Sequence, residues 1–281
     1  FEVEILNIEV LGESDPEKYP IQPKKHSFEF LREQAHLRIR TSTFSAVMRI
    51  RSKLAYGVHK FFNERGFNYI NTPIITSSDA EGAGEMFQVT TLNNTQVDKK
   101  NLDYKEDFFG KKTSLTVSGQ LEAETYALGL GNVYTFGPTF RAENSNTSRH
   151  ASEFWMIEPE MAFYELNDNM DLAESFLKYI LQFTMSSCKE DLKFLDERLS
   201  KEQSQKPKIE RDEMTLLEKI KFTIENKFVR ISYSDAFKIL ENSNHNKKKK
   251  FNYLIDEWGC DFQSEHERFL VEKHFKSPVI I

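Results

Sequence analysis

The stretch that decides the fold runs from Phe140 to Phe163 and reads FRAENSNTSRHASEFWMIEPEMAF. Its two ends predict β-strands, at Phe140–Glu143 and Phe154–Phe163. The segment between them is rich in Asn, Ser, Thr and charged residues, which predicts a loop. We therefore expect an antiparallel strand–loop–strand unit at this point in the chain.

Strand side chains point alternately to the two faces of a sheet. One face of the second predicted strand is wholly apolar, which predicts core, whereas the other carries Phe154, Glu158 and Glu160. On the first predicted strand, Arg141 and Glu143 share a face. In an antiparallel hairpin, these five side chains can converge on one polar surface.

The residue types on this surface suit a nucleotide. The planar guanidinium of Arg141 can bind a phosphate through two parallel hydrogen bonds, and the ring of Phe154 offers a face to a base. Carboxylates accept hydrogen bonds from amines and amides, or hold Mg²⁺. The loop adds two cations suited to a polyphosphate, Arg149 and His150. An exposed hairpin with incidental ion pairs would explain one Arg–Glu pair, but explains the whole set less well.

Composition excludes several classes of protein. The chain has 281 residues, with 38 Lys plus Arg against 44 Asp plus Glu, a net charge of −6. Such a chain is not histone-like, although phosphate binding depends on local charge. With 39% hydrophobic and 29% charged residues, it is neither disordered nor collagen-like. No apolar run approaches the ~18 residues of a membrane span.

The sequence gives little support for a disulfide scaffold, a metal site or a catalytic nucleophile. The two cysteines, Cys188 and Cys260, stand outside any CxxC, which argues against a disulfide scaffold or structural zinc and favours a reducing compartment. His150 and Glu153 lack a third metal ligand, and no metal site is identified in the chain. Ser118 has no His–acid pair and is interpreted as a cap or loop residue rather than a nucleophile.

Upstream of the hairpin, the pattern predicts four segments. These are a strand at Phe1–Leu11, a proline-rich linker at Gly12–Lys25, a long amphipathic helix at about Phe44–Arg65 and a strand at Phe67–Thr72. Several strands close in sequence, with helices between them, favour an α+β fold with a largely antiparallel sheet.

Helices are also predicted at Gln120–Leu130, Asn169–Met185 and Gln263–Phe275. The polar stretch Asn93–Lys112 predicts a surface loop or insertion, and whether it touches RNA is open. The run Lys247–Lys250 fits either a solvated loop or a contact to RNA phosphates.

The segment FRAE…RHASEF resembles motif 2 of the class II aminoacyl-tRNA synthetases of the aspartate/asparagine/lysine subclass, which holds ATP. Phe44–Pro73 resembles motif 1, the helix and strand of the dimer interface. Within the subclass, FWMIEPEMAF, EGAGEMF (Glu81–Phe87), SGQLEAE (Ser118–Glu124) and WGCDFQSEHE (Trp258–Glu267) are similar to the asparaginyl enzymes. The resemblance implies a class II antiparallel sheet flanked by helices.

The same resemblance implies a division of the chain. Residues 1–25 would be the end of an N-terminal OB-fold that binds the anticodon, followed by a linker, and residues 26–281 the catalytic domain. The family's motif 3, a Gly-rich strand and helix with an adenine-clamping arginine, has no match here. We therefore expect the chain as given to be incomplete for catalysis.

Roles follow for the matching positions. On the ATP side, Arg141 would hold the α-phosphate and the amino-acid carboxylate, Glu143 would lie near the adenine amine, and Phe154 would stack on adenine. Arg149 and His150 would meet the β- and γ-phosphates. The residues implied in amino-acid binding are Glu81, Ser118, Gln120, Arg141 and Glu158, with Glu160, Gln263 and His266 as further residues of either substrate or structural role.

The implied function is the attachment of asparagine to tRNA(Asn) with ATP and Mg²⁺, by a homodimer joined through Phe44–Pro73. The expected location is the cytoplasm, with an organelle such as a plastid or mitochondrion as the alternative, and no membrane association is expected. Two other functions stay open. One is an aspartyl-type synthetase or an amide ligase of the same fold, and the other is a non-catalytic homologue that dimerises or binds tRNA.

Overall fold

A computed structural model describes residues 4–80, 82, 84–92, 103–145, 150–208 and 211–281. Glu81, Arg149 and much of the predicted insertion at Asn93–Lys112 lie outside the described residues. The described chain mixes helices with short sheets, as the sequence predicts.

Eight strands and nine α-helices make up the described chain. The strands are β1 Asn68–Tyr69, β2 Ile75–Thr76, β3 Gln88–Val89, β4 Thr113–Leu115, β5 Asn132–Phe140, β6 Glu153–Met161, β7 Val229–Arg230 and β8 Val279–Ile280. The helices are α1 Phe28–Glu33, α2 Ser42–Asn63, α3 Gln120–Leu130, α4 Leu166–Ser187, α5 Lys189–Ser204, α6 Leu216–Glu225, α7 Tyr233–Asn242, α8 Asn244–Lys247 and α9 Ser264–Arg268. A π-helical segment, Phe269–Phe275, follows α9.

The hairpin at the centre is longer on its first strand than the sequence predicts. β5 pairs antiparallel with β6, so that Thr135 lies opposite Glu158 and Thr139 opposite Phe154. β1 adds a parallel neighbour to β5, and β2, β4 and β3 form a second, antiparallel sheet. The predicted strand Phe140–Glu143 is therefore wrong, because β5 ends at Phe140.

Pro138 explains why β5 is hard to recognise in the sequence. Proline lacks an N–H donor and is excluded from most central strands. Two residues later, the Phe140 N–H donates to Thr116 O, away from β6. The nitrogen of Pro138 points to the same side, and β1 pairs with β5 only at Val133 and Tyr134. The missing donor thus costs no ladder hydrogen bond to β6.

Helix α2 supplies one wall of the main core. Thr41 caps its start, with its hydroxyl accepting from Phe44 N at 3.4 Å, and Gly66 follows its end at a φ of +77°. Phe61 and Phe62 are fully buried and pack against Tyr134 of β5 and α4. The predicted helix is confirmed, although it begins and ends two residues earlier than the sequence predicts, at Ser42 and Asn63.

Two regions depart from the predicted pattern. Residues 4–11 form no strand, although their apolar residues alternate, because no described strand pairs with them and Ile5 and Leu11 face solvent. Helix α5 lies where the sequence shows mainly charged residues. Its Leu192 packs with Cys188 and Ile220, so a few apolar contacts are enough to hold a mostly polar helix.

A separate cluster forms the core of the C-terminal part. Ala236, Phe237 and Leu240 of α7 pack against Phe251 and Leu270. β7 and β8 pair in parallel beside this cluster. The predicted helix Gln263–Phe275 is confirmed as α9 with its π-helical continuation.

Candidate active site

One carboxylate joins the hairpin to the start of α3. Glu158 Oε1 accepts from the Ser118 hydroxyl, and Glu158 Oε2 accepts from Gly119 N at 3.1 Å and from the Thr135 hydroxyl at 2.9 Å. Gln120 N donates in turn to Ser118 Oγ at 3.0 Å. The carboxylate therefore sits at the positive end of α3, where negative charge is favoured.

The close approach of α3 to β5 depends on a glycine. A Cβ built on Gly119 would come within 2.7 Å of Thr72 Oγ1 and 3.1 Å of Thr135 Cγ2. Both distances are shorter than side chains ordinarily accept, so a larger residue would push α3 off the strand. Only glycine lets the backbone N–H reach Glu158 while Thr135 remains against it.

A second group of polar side chains continues along the same face. Glu160 lies two residues beyond Glu158 and is half-buried. Burial, with the nearby carboxylates of Glu124 and Glu158, raises the pKa of Glu160 above its ordinary value. Gln120 donates to Glu124 at 2.9 Å. This end of the site is acidic, which suits the ammonium group of an amino acid.

The other end of the hairpin carries a guanidinium with few partners. Arg141 lies just past the end of β5, where its N–H donates to Ser152 O at 3.0 Å. Its guanidinium carbon is 5.5 Å from the centre of the Phe154 ring, and Nη2 is 3.9 Å from Met156 Sδ. Nε is buried without a hydrogen-bond partner among the described residues. Such a group is rare in a folded protein, and its free N–H is a candidate donor to a bound ligand.

A cavity of about 500 Å³ opens beside this guanidinium, which is room for a nucleotide-sized ligand. Its walls include Arg141, Glu143, His150 and Phe154. Gly84 lies against the same residues, since a Cβ built on Gly84 would lie 2.5 Å from Glu143 Oε1. Four sequence-predicted residues on the ATP side are thus brought together, even though Arg141 and Glu143 lie in a loop rather than on a strand.

Two predicted residues have structural partners elsewhere. His266 is 1% exposed; its Nδ1 accepts from Gln263 N at 2.9 Å, and its Nε2 lies 2.7 Å from Tyr253 O. Since a carbonyl only accepts, Nε2 carries the proton. Gln263 and His266 form a capping box at the start of α9, so these side chains are engaged with the C-terminal cluster and not with the hairpin.

One contributor to the site, Thr135, carries no recognisable sequence signal. Thr135 donates to Glu158, yet a threonine in a strand is an ordinary residue. Gly119 and Met156 contact Glu158 and Arg141, and both lie within the segments SGQLEAE and FWMIEPEMAF. Only the strand register, which places Thr135 opposite Glu158, shows the position of Thr135. The contact between Thr135 and Glu158 could have been found from the sequence only by predicting that register.

The described residues contain neither a metal-binding cluster nor a membrane-spanning helix. Within residues 4–80, 82, 84–92, 103–145, 150–208 and 211–281, no group of three His, Cys, Asp or Glu side chains is arranged to hold a metal ion. In the same ranges, no helix is both long and apolar enough to cross a bilayer.

Known proteins resemble this chain along its whole length. Residues 27–281 match the family model of class II tRNA synthetases (D, K and N). The chain is 58% identical to an asparagine–tRNA ligase of Cytophaga hutchinsonii, over all of this chain and 57% of that protein. It is 52% identical to one from Treponema denticola, over all of this chain and 58% of that protein. The chain thus spans under three fifths of these relatives.

Solved structures show the same fold. The asparaginyl-tRNA synthetase of Pyrococcus horikoshii, crystallised with asparaginyl-adenylate, superposes with a TM-score of 0.69 at 30% identity, over 93% of this chain and 50% of that one. The asparaginyl-tRNA synthetase of Entamoeba histolytica superposes with a TM-score of 0.66 at 21% identity, over 96% and 51%. The second likeness bears on the fold alone.

Proposed function

The chain belongs to the class II tRNA synthetases (D, K and N), and on that premise we propose that the protein containing it activates asparagine with ATP and attaches it to tRNA(Asn). One observation carries the proposal. The guanidinium of Arg141, whose buried Nε has no hydrogen-bond partner among the described residues, lines a nucleotide-sized cavity beside the ring of Phe154. The relatives at 52–58% identity that bear the name asparagine–tRNA ligase indicate which amino acid is used.

The proposed reaction has two steps. A carboxylate oxygen of asparagine attacks the α-phosphorus of ATP, the bond to the β-phosphate bridge breaks, and asparaginyl-adenylate and pyrophosphate form. A terminal ribose hydroxyl of the tRNA then attacks the activated carbonyl, and AMP leaves. Neither step needs a protein nucleophile, so catalysis rests on positioning and on stabilising charge.

Arg141 is the proposed catalytic residue. Its free Nε and the rest of the guanidinium would bind the α-phosphate and the asparagine carboxylate, which fits a planar fork with unused donors. Phe154 would stack on adenine, with Glu143 near the adenine amine. Arg149 and His150 would meet the outer phosphates; His150 lines the cavity.

The acidic end of the hairpin is proposed to hold the amino acid. Glu158 lies two residues from Met156, or about 7 Å along the strand, and Met156 contacts Arg141. A small amino acid could therefore place its carboxylate on Arg141 and its side chain on Glu158. Gln120 and Glu81 would bind the α-ammonium. Ser118 would act by holding Glu158.

Dimerisation through Phe44–Pro73 remains a proposal. Phe61 and Phe62 belong to the core of the protomer and are unsuited to an interface. The side of α2 that faces away from the core instead exposes Met48 and Tyr56. A second copy packed on these side chains would remove them from water, which is the expected driving force.

Two further expectations stay at the level of proposals. Mg²⁺ would accompany ATP, yet the described residues form no donor set for it, so no step is assigned to a metal. The cytoplasm is the proposed location, with an organelle as the alternative.

The test is asparagine-dependent exchange of labelled pyrophosphate into ATP by the intact natural protein, followed by charging of tRNA(Asn). We expect exchange with asparagine and little with aspartate. Exchange driven by aspartate would indicate an aspartyl-type enzyme, and an ammonia requirement an amide ligase. Binding of tRNA with no exchange would favour a non-catalytic homologue.

A further inference from the structure

We propose that Thr135 is a positioning residue that determines the choice of asparagine over aspartate, by occupying one oxygen of Glu158. The inference rests on the proposed function, since it assumes that Glu158 receives the side chain of the substrate. Thr135 is 3% exposed and lies directly opposite Glu158 in the β5–β6 register. It acts through Glu158 and would not touch the substrate itself.

The hydrogen bonds of Glu158 leave a single acceptor position open. A carboxylate oxygen has two lone pairs and no proton to donate. Oε2 accepts from Gly119 N at 3.1 Å and Thr135 Oγ1 at 2.9 Å, so both of its lone pairs are used. Oε1 accepts only from the Ser118 hydroxyl among the described residues. One lone pair of Oε1 therefore remains for a ligand.

The direction of these bonds is forced. Ser118 Oγ accepts from Gln120 N, so its own proton is free to go to Glu158. The Thr135 hydroxyl can only donate to a carboxylate. With three donors from the protein, two just before α3 and one on β5, the carboxylate cannot rotate without breaking at least one bond. Its open lone pair consequently has one fixed direction.

A site with one fixed acceptor discriminates between an amide and a carboxylate. The NH₂ of a carboxamide can donate to Oε1, whereas an aspartate side chain would bring a second negative charge with no proton to share. Mismatched polar groups of this kind give strong rejection. Without the Thr135 hydroxyl, Oε2 regains a lone pair, the carboxylate can turn or bind water, and part of the discrimination is lost.

The experiment compares four variants of the intact protein in pyrophosphate exchange: Thr135→Val, Thr135→Ser, Glu158→Gln and Thr184→Val. The readout is kcat/KM for asparagine divided by kcat/KM for aspartate. We expect Thr135→Val to lower this ratio roughly tenfold, the value of one hydrogen bond to a charged group. Thr135→Ser keeps the hydroxyl and should restore most of the ratio.

Thr184→Val is the matched control. Thr184 is also buried, and its hydroxyl donates to the Ile180 carbonyl within α4, so the same substitution there should leave the ratio unchanged. If Thr135→Val lowers kcat/KM for both amino acids equally, its role is merely structural and the inference is overturned. If Thr135→Val does not fold, Thr135→Ala removes the same hydroxyl without adding a methyl group.

Glu158→Gln separates this inference from the proposed function. A ratio that survives Glu158→Gln would show that Glu158 does not contact the substrate side chain, and the inference would fail while asparagine activation stands. Absence of asparagine-dependent exchange in the unsubstituted protein would instead remove the proposed function itself.

Discussion

The two ends of the β5–β6 hairpin are built in opposite ways. At one end, the carboxylate of Glu158 accepts three hydrogen bonds from the protein. At the other end, Arg141 Nη2 lies 3.9 Å from Met156 Sδ, the guanidinium carbon lies 5.5 Å from the centre of the Phe154 ring, and the buried Nε has no partner among the described residues. Both groups are charged, but the protein uses most of the acceptor positions of the carboxylate and leaves a buried donor of the guanidinium unused.

This difference indicates how each end works. A charged group held by several donors is rigid and can present one remaining lone pair with a fixed direction. A buried donor without a partner carries an energetic cost, which a ligand relieves on binding. We infer that the Glu158 end selects the amino acid, whereas the Arg141 end binds the α-phosphate of ATP and activates the amino acid. The predictions below test that division, from the largest expected effect to the smallest.

Arg141→Gln should have the largest effect. Loss of the guanidinium removes the group proposed to stabilise charge on the α-phosphate, and asparagine-dependent pyrophosphate exchange should fall by ~10²–10³. Arg230→Gln provides the control, because Arg230 pairs with Asp171 and Glu174, away from the hairpin. Equal activity in the two variants would contradict the proposal that Arg141 is the catalytic residue.

Phe154→Leu should raise the KM for ATP. A leucine keeps an apolar side chain but has no ring face, and stacking of a base on an aromatic ring contributes ~1–3 kcal/mol. We expect roughly a tenfold increase in the KM for ATP, with the KM for asparagine nearly unchanged. A change in the KM for asparagine alone would mean that Phe154 contacts the amino acid at the Glu158 end of the hairpin.

Gly119→Ala tests how rigid the Glu158 end is. The added methyl group would meet Thr72 and Thr135 at 2.7–3.2 Å, and overpacking of this kind costs ~1–3 kcal/mol of unfolding free energy. Gly129→Ala lies on the same helix with nothing within 4 Å of the new Cβ, and should be neutral or slightly stabilising. Urea denaturation of both variants measures the difference.

Glu160→Gln should have the smallest effect, and one that depends on pH. Burial and two neighbouring carboxylates raise the pKa of Glu160, so the folded state holds its proton more tightly than the unfolded state. Glu160 therefore costs stability as pH rises through and above its ordinary pKa. The variant should be more stable than the unsubstituted protein at neutral pH, by a few tenths of a kcal/mol.

That gain should vanish in acid, where the Glu160 carboxyl is protonated in both states. Chemical denaturation at neutral pH and below pH ~4 compares the two conditions. A gain that is equal at both pH values would mean that packing, and not charge, is responsible.

Much of this architecture was readable from local patterns. The period of apolar residues predicts α2, and the glycines Gly129 and Gly131 mark the end of the predicted α3, whose bounds the structure confirms. Alternation along β6 places Phe154, Glu158 and Glu160 on one face. These features depend on residues a few positions apart, so the chain determines them without its tertiary fold.

Two sequence-based expectations failed because a partner was required. The alternating residues 4–11 form no strand, since alternation stabilises a strand only where a neighbour pairs with it. The apolar face of β6 is only partly core: Met161 packs against the α2 cluster, whereas Trp155 is 48% exposed. Periodicity shows which face is apolar, but not whether anything covers it.

The sequence by itself determined helices α2, α3 and α4, the faces of β6 and the kind of chemistry that Arg141 and the carboxylates can perform. Only the tertiary structure decided which of these groups is satisfied and which is free. The three donors to Glu158 lie 40, 39 and 23 positions away in the chain. Such bonds depend on how β5 pairs with β6 and how closely α3 approaches, and no local pattern encodes either distance.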